Sequence, residues 1–400
     1  MAPPRLHPLA RSRAATWADR AIAAMWANGV TDKPPLDPEF LWAKGSAGFT
    51  RDDEKSIRCD EDVADFRERL SVLCRSLRDE ARLNALGHTM AYGQLTAVIR
   101  KRHALGRLWR RRPDLARTPI AAPIAVVGQM RAGTTRMHRL LAADPAHAGT
   151  LFCNSHDPVP RRPDPRPVRS AIGLAIARRI NPWLDTLHPF GATRVDEEIG
   201  WLAGALDACA YEAQWHIPAF VAFSEARDAG PIYREFARIL RTDAATVGNS
   251  HLPRVLKCPQ FAEDVPDLMA VFPDARLVVT HRDHDEVLAS TVSMVASQMA
   301  FQSDHADVAS ITREWRRKLA LRGERVEQAL DQGLGPVVEV GFSSLGADWR
   351  GEIARVYDAL GLNLTAAALA AMEGEQKQAE RGQHVGHARH LARFEAASAT

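Results

Sequence analysis

The residues with the clearest capacity for chemistry lie in a glycine-containing loop between an apolar run and an amphipathic segment. The β-branched run from Ile124 to Val127 ends at Gly128, and Gly133 then leads into Thr134 and Thr135. In a strand–loop–helix unit, free backbone N–H groups and the helix dipole point at one spot and bind anions. The sequence therefore predicts an anion site at this loop. Its predicted contacts are Gly128, Arg131, Ala132, Gly133, Thr134 and Thr135.

The loop has the glycine spacing of a phosphate-binding loop but lacks its lysine. Where the motif G-x-x-x-x-G-K-[ST] has lysine, this chain has Thr134, and the nearest cation is Arg131 inside the loop. A guanidinium can hold two oxygens at once, so we expect Arg131 to be the main charged contact. Arg136, His138 and Arg139 crowd the first turns of the following helix, where the dipole disfavours cations. A bound anion would relieve that conflict; the alternative is that these side chains point into solvent.

A second strand–turn–helix unit follows later in the chain. The apolar run from Arg276 ends at Arg282, and Asp283 and Glu286 have the spacing of a capping box at a helix start. Arg282 thus lies at the carboxyl end of a strand, where α/β sheets bind ligands, and Ser290 lies about two turns into the helix. Together they can hold a second phosphate. The alternative is a salt-bridged arginine and a serine that points into solvent.

Strand-like and helical patterns alternate from this first loop onward, which indicates a parallel sheet covered on both faces. The predicted strands are 124–127, 149–152, 254–257, 276–280 and 336–340. The predicted helices are 134–143, 196–210, 231–242, 262–271, 285–300, 306–330 and 347–360. We therefore expect an α/β domain over 116–400, preceded by a helical N-terminal region over 1–115.

Three segments are predicted to be irregular because proline or glycine interrupts the pattern. They are a loop at 32–49, a linker at 114–123 and a proline-rich surface loop at 158–169. The loop at 158–169 and the stretch from Ile172 to Phe190 are expected to border a substrate pocket.

Composition narrows the class of protein. Hydrophobic residues make up 46% of the 400 residues, and the net charge is only +3, so no nucleic-acid partner is predicted. The five cysteines lack metal-ligand or redox spacing, which favours reduced thiols and a cytoplasmic location. No apolar run is long enough to span a membrane, and the first 20 residues lack the apolar core of a secretory signal. A transit peptide and a homodimer are left open.

The two phosphate-binding elements, in this order, resemble those of the sulfotransferases that use 3′-phosphoadenosine 5′-phosphosulfate (PAPS). In that family a loop of the type G-x-x-R-[ST]-G-T-T holds the 5′-phosphosulfate, and an h-R-D-P element with a later serine holds the 3′-phosphate. The resemblance implies a P-loop-like three-layer sandwich with a central parallel sheet. It also implies that the loop contacts the 5′ end, and that Arg282 and Ser290 contact the 3′-phosphate.

Other segments extend the resemblance over most of the chain. Val255-Leu-Lys257-Cys-Pro259 resembles the family element L-K-S-P, whose lysine faces the sulfuryl group. The segment with Arg381 and Gly382 resembles a basic stretch that closes over the nucleotide. Residues 81–87 resemble the helical N-terminal region of the bacterial branch. No metal is implied.

The residues at the two positions where relatives have the general base differ from the family pattern. Asn154 and Phe261 occupy the two places where relatives have a glutamate and a histidine. An acceptor hydroxyl nevertheless needs a carboxylate or imidazole within reach to take its proton. Our first choice is Glu197, followed by His156. The remaining candidates are Asp157, His188, Asp196 and Glu198, and the alternative for the acidic run is that it caps a helix.

The expected function is transfer of a sulfuryl group from PAPS to a hydroxyl or amine of a small-molecule acceptor, without a metal. Lys257, Glu197 and His156 are the expected catalytic residues. One alternative is a nucleotide-binding relative that has lost turnover. A P-loop kinase is a further alternative, against which the missing loop lysine and magnesium ligands argue.

Overall fold

A parallel sheet forms the centre of the computed structural model, which describes residues 3–380, 390, 391 and 394. Its strands are β1 (Ile124–Gly128), β2 (Ala148–Gly149), β3 (Arg254–Lys257), β4 (Arg276–His281) and β5 (Val337–Gly341). They pair in the order β2-β3-β1-β4-β5, and every pair is parallel. β1 is thus central, and the loop that follows it lies at the middle of the sheet's carboxyl edge.

The two faces of the sheet are buried by alternate residues of the same strands. Ala125 and Val127 pack in a core with helix residues such as Phe236, whereas Ile124 and Val126 pack on the other face with residues such as Met137. β1 is buried at all five positions, as expected for a strand covered on both sides. The predicted α/β three-layer sandwich is therefore confirmed.

Helices precede and cover the sheet. Those of the N-terminal region are α1 (Arg13–Ala27), α2 (Pro38–Gly45), α3 (Arg51–Lys55), α4 (Asp60–Asp79) and α5 (Ala85–Arg111). Between β1 and β3 lie α6 (Thr134–Ala143), α7 (Phe152–His156), α8 (Arg166–Ile180), α9 (Leu184–Leu187), α10 (Ile199–Ala203), α11 (Cys209–Glu212), α12 (Pro218–Glu225) and α13 (Gly230–Val247). The rest are α14 (Val265–Val271), α15 (His284–Ala300), α16 (Val308–Asp331), α17 (Phe342–Ala347), α18 (Trp349–Ala359) and α19 (Ala366–Glu380). Short 3-10 turns occupy Leu115–Arg117 and Pro259–Ala262.

The single helix predicted over 196–210 is wrong. α10 starts only at Ile199 and ends before Gly204, and Leu206 has a positive φ of 61°. Asp207 then accepts a hydrogen bond from the N–H of Cys209, which starts α11. Glycine is a weak helix former, and aspartate favours a capping position. The single helix that the apolar spacing predicted is therefore divided into two short ones.

Two of the predicted loops are also only partly right. α8 begins at Arg166, inside the predicted loop 158–169, with Pro167 in its first turn. α2 likewise begins with Pro38 inside the predicted loop 32–49, capped by Asp37. Proline is tolerated in a first turn because the N–H it lacks would have no helical partner there. A prediction from proline content alone therefore overestimated the length of both loops.

The helical N-terminal region shares a core with the α/β part. Trp109 of α5 is fully buried in the same cluster as Ala125 and Phe236, and its indole N–H donates to Thr242 at 2.8 Å. Arg58 donates to both carboxylate oxygens of Glu235 on α13, at 2.9 and 2.6 Å. The division at residue 115 stays a prediction. Among the described helices, none is long and apolar enough to cross a membrane.

Candidate functional site

The loop after β1 is shaped by two glycines with positive φ. Gly128 has φ 149°, and a Cβ there would lie 2.5 Å from Thr280 Oγ1; Gly133 has φ 86°, and its Cβ would lie 2.8 Å from Phe342 Cδ2. Gly133 is also the N-cap of α6 and has no side chain with which to cap its first N–H groups. The first N–H groups of α6 are thus left without a capping side chain, the condition under which a helix N-terminus binds an anion.

Arg131 connects the two predicted phosphate elements. Its Nε donates to Ser290 Oγ at 2.8 Å and its Nη1 donates to the C=O of Leu187 at 2.7 Å. Both acceptors are neutral. Burial and then the positive charge of Arg282 lower the pKa of Arg131 to about 10. A bound anion would offset both effects, because it would neutralise a partly buried pair of cations.

Arg282 completes this arrangement from the other side. Its Nη1 donates to the backbone C=O of Arg131 at 2.9 Å, and its guanidinium carbon lies 4.1 Å from the ring centroid of Phe342. Its Nε donates to the exposed Glu286 at 2.9 Å, so this arginine is salt-bridged, as the alternative supposed. Ser290, in contrast, is only 1% exposed and does not point into solvent.

The helix start at Asp283 is confirmed, but its capping box is incomplete. Asp283 Oδ1 accepts hydrogen bonds from the N–H groups of Asp285 and Glu286. Glu286 pairs with Arg282 instead of completing the box. A cleft of about 390 Å³ lies beside Arg282, between the loop residue Ala132 and α16. Its volume is that of a small-molecule site.

The basic residues in the first turns of α6 do not splay into solvent. His138 is 1% exposed; its Nε2 lies 3.2 Å from the C=O of Val255, and burial together with Lys257 lowers its pKa to about 3. Arg139 donates to the C=O of Pro189 at 2.8 Å, and Arg136 donates to Gln376 at 3.1 Å. That alternative is therefore wrong, and the region stays positively charged.

Lys257 and Glu197, two of the predicted catalytic residues, form one ion pair. Lys257 is the last residue of β3, next to β1, and its Nζ contacts the carboxylate of Glu197. The Lys257 N–H donates to Glu198 Oε2 at 2.8 Å, and the N–H of Glu198 donates back to the Lys257 C=O at 3.3 Å. Burial raises the pKa of Glu198 to about 8. The strand end and the acidic run are thus fixed to each other.

The acidic run does not cap α10. Glu198 is the residue before that helix, and it makes no side-chain capping bond. Asp196 instead lies 3.0 Å, Oδ1 to Nε2, from His188 and accepts the N–H of Glu197 at 2.9 Å. The pairing of Asp196 with His188 is the feature of the site that the sequence did not indicate, since the chain pattern showed only two separate candidates.

His156 is the last residue of α7. Its ring centroid is 4.2 Å from that of Phe152, and its C=O accepts from Lys101 at 2.6 Å. The residue is exposed, and desolvation of the imidazole followed by the charge of Lys101 lowers its pKa to about 4. It is therefore neutral at pH 7, but only a weak base.

The two departures from the family's base positions are structural residues. Asn154 is buried and donates to Asp243 at 2.8 Å, and Phe261 is fully buried against Phe236. Asp157 pairs with Arg161 at 2.7 Å. Arg381 and Gly382, the predicted closing segment, lie outside the described residues.

Comparison with known proteins agrees with the α/β fold. The chain matches the model of the sulfotransferase family over residues 123–366. It is similar to the sulfotransferase STF1 from Mycobacterium tuberculosis, with a TM-score of 0.75 and 26% identity, covering 90% of this chain and 99% of that one. It is also similar to the sulfotransferase STF9 from Mycobacterium avium, with a TM-score of 0.76 and 19% identity, covering 88% of this chain and 90% of that one. No curated protein matches. Because the family model covers more than half of the 400 residues, the chain belongs to the sulfotransferase family.

Proposed function

We propose that this chain transfers the sulfuryl group of PAPS to a hydroxyl or amine of a small-molecule acceptor. The observation that carries the proposal is the contact of Arg131 with Ser290 and of Arg282 with Arg131. It brings two cations and a buried hydroxyl together at the carboxyl edge of the sheet. A nucleotide with a phosphate at each end of its ribose would satisfy both elements at once.

The proposed contacts follow the loop and the second helix. The loop residues Gly128 and Ala132, the N–H groups of Gly133, Thr134 and Thr135, and the Arg131 side chain would hold the 5′-phosphosulfate. Arg282 and Ser290 would hold the 3′-phosphate. The cleft beside Arg282 supports this assignment, because it offers room for the rest of a nucleotide. Arg381 and Gly382 stay part of the proposal as residues that close over it.

Lys257 is the proposed cation for the reacting group. Sulfuryl transfer develops negative charge on oxygen, and a fixed, partly desolvated cation stabilises such charge. Lys257 is 4% exposed and held by Glu197, so it is fixed before substrate arrives. Glu197 and His156 as catalytic groups stay predictions. The free state of all five cysteines supports the cytoplasm as the proposed location.

Calorimetry with 3′-phosphoadenosine 5′-phosphate (PAP) and with ATP, each with and without magnesium, tests the donor assignment. We expect PAP to bind without magnesium and more tightly than ATP. A magnesium-dependent preference for ATP would contradict the proposal and favour a kinase. Single-turnover transfer of labelled sulfate from PAPS to a panel of alcohols, phenols and amines tests catalysis. PAP binding with no transfer to any acceptor would indicate a non-catalytic relative.

A further inference from the structure

His188 and Asp196 form a pair in which the carboxylate fixes the imidazole. His188 Nε2 lies 3.0 Å from Asp196 Oδ1, and the His188 and Asp196 side chains are 13% and 4% exposed. Burial by itself would raise the pKa of Asp196, but His188 and Arg139 outweigh burial and lower it. An ionised carboxylate at this distance favours the tautomer with hydrogen on Nε2. The lone pair on Nδ1 is then available as a proton acceptor.

The pair lies directly beside the anion-binding loop. The C=O of Leu187, the residue before His188, accepts a hydrogen bond from Arg131 at 2.7 Å. The backbone next to His188 is therefore bonded directly to the cation of the loop. His188 also lines a cavity of about 60 Å³ together with Arg131, Thr135 and Arg139. A cavity of this size admits a hydroxyl group. The imidazole is thus close to the place where the proposed 5′-phosphosulfate would lie.

The other candidate bases are less suited to taking a proton. The carboxylate of Glu197 is engaged by the Lys257 ammonium and is not directed at an acceptor. The pKa of His156 is lowered to about 4, which also makes it a weak base at neutral pH. Asp157 is paired with Arg161. Among these candidates, His188 is the imidazole with a carboxylate as its described partner, the arrangement that supports an imidazolium.

We infer that His188 is the general base of the reaction and that Asp196 is its positioning residue; the inference rests on the proposed function. The acceptor O–H proton moves to Nδ1 of His188 as the acceptor oxygen bonds to sulfur. The bond from sulfur to the 5′-phosphate oxygen breaks, and PAP leaves with that electron pair. Asp196 stabilises the imidazolium that forms and keeps its proton on Nε2.

The charges around His188 define how the pH dependence should be interpreted. These charged groups lie on the segment around His188, on the loop after β1, on α6 and on α19. They are Asp196, Arg194, Arg131, Arg136, Arg139 and Glu375. Asp196 is the nearest of them to the imidazole, at 3.0 Å. Removing the Asp196 charge should therefore move the acid limb of kcat to lower pH, because the imidazolium loses its nearest stabilising charge.

The test uses the full chain, labelled PAPS, and two acceptors: an aliphatic alcohol active with the wild type, and 4-nitrophenol. His188→Asn should lower kcat for the alcohol by about 100-fold or more and leave the PAP Kd within about twofold. The loss should be smaller for 4-nitrophenol, which ionises readily by itself. Asp196→Asn should lower kcat and shift its acid limb to lower pH. Added imidazole should partly restore a His188→Gly variant.

His251→Asn is the matched control, since that histidine is exposed and lies outside the site. Wild-type kcat in His188→Asn and His188→Gln, with PAP still bound, would overturn the assignment while the proposed function stands. Equal losses for the two acceptors would also overturn it, because that pattern indicates a structural role. No transfer by the wild type would overturn the proposed function and this inference together.

Discussion

Arg131 is the residue on which the proposed donor site depends most. Its guanidinium is partly buried, its described acceptors are neutral, and burial and Arg282 lower its pKa to about 10. Arg131→Ala should therefore weaken binding of PAP by more than roughly tenfold, because it removes a charge-assisted contact. Calorimetry measures the change, with the exposed Arg169→Ala as control. Unchanged PAP affinity in Arg131→Ala would mean that the loop is not the anion site.

Arg282 should distinguish the two ends of the nucleotide. It contacts Arg131 and Glu286, and Ser290 lies further along the helix that follows it. If Arg282 holds the 3′-phosphate, Arg282→Ala should weaken PAP by more than roughly tenfold but change AMP little, because AMP lacks that phosphate. Arg131→Ala should weaken both ligands. Calorimetry with the two nucleotides checks this, and equal losses for AMP and PAP in Arg282→Ala would contradict the assignment.

At the same scale, the sequence could identify single residues but not their pairing. The positions of Arg131, Arg282 and Ser290 in the elements were predictable because each has a fixed place in a local strand–loop–helix pattern. The contact of Arg131 with Ser290 spans 159 residues, and that of Lys257 with Glu197 spans 60. Only the tertiary arrangement of the sheet brings such residues together. The carboxylate partner of His188 could not be inferred for the same reason.

At the scale of elements, the loop at Gly133 should tolerate no side chain. Gly133 and Gly248 have nearly equal φ of 86° and 84°, but a Cβ at Gly133 meets Phe342 at 2.8 Å and one at Gly248 meets nothing within 4 Å. Both alanine variants should lose about 1 kcal/mol for the left-handed conformation. Gly133→Ala should lose more and should also weaken PAP binding. Urea unfolding and calorimetry check this; equal destabilisation and unchanged PAP affinity would contradict it.

The elements that the sequence predicted best are those whose burial is uniform. The strand over 276–280 was found as β4 at Arg276–His281, since an apolar run flanked by polar residues is typical of a buried parallel strand. The region 196–210 failed partly because Gly204 and Asp207 interrupt a helix there, and partly because its first residues make long-range contacts. Glu197 and Glu198 contact Lys257, and this long-range demand outweighs the local preference for a helix.

At the scale of the whole molecule, a buried ion pair joins the N-terminal helices to the α/β part. Glu235 of α13 accepts two hydrogen bonds from Arg58, and Arg102 of α5 lies 4.0 Å away. Trp109 packs in the core beneath them. These contacts predict that the helical region and the sheet unfold together, so the boundary suggested by the sequence should not be visible as a separate transition.

Because of this ion pair, the free energy of unfolding should fall at acid pH. Burial alone would raise the pKa of Glu235, but Arg58, Arg102 and Arg238 outweigh it and lower the pKa from 4.5 to about 2. Because the folded pKa is depressed, the stabilisation is present above pH 4.5 and is lost as the pH falls toward 2. It amounts to about 3 kcal/mol at pH 7.

Glu235→Gln should therefore lower the free energy of unfolding at pH 7, and the difference from wild type should shrink between pH 4.5 and 2. Urea unfolding across that pH range, followed by both tryptophan fluorescence and circular dichroism, measures it. Glu327→Gln, at an exposed position on α16, is the control and should leave the pH dependence as in wild type. A pH-independent difference between Glu235→Gln and wild type would show that Glu235 acts through packing and not through its charge.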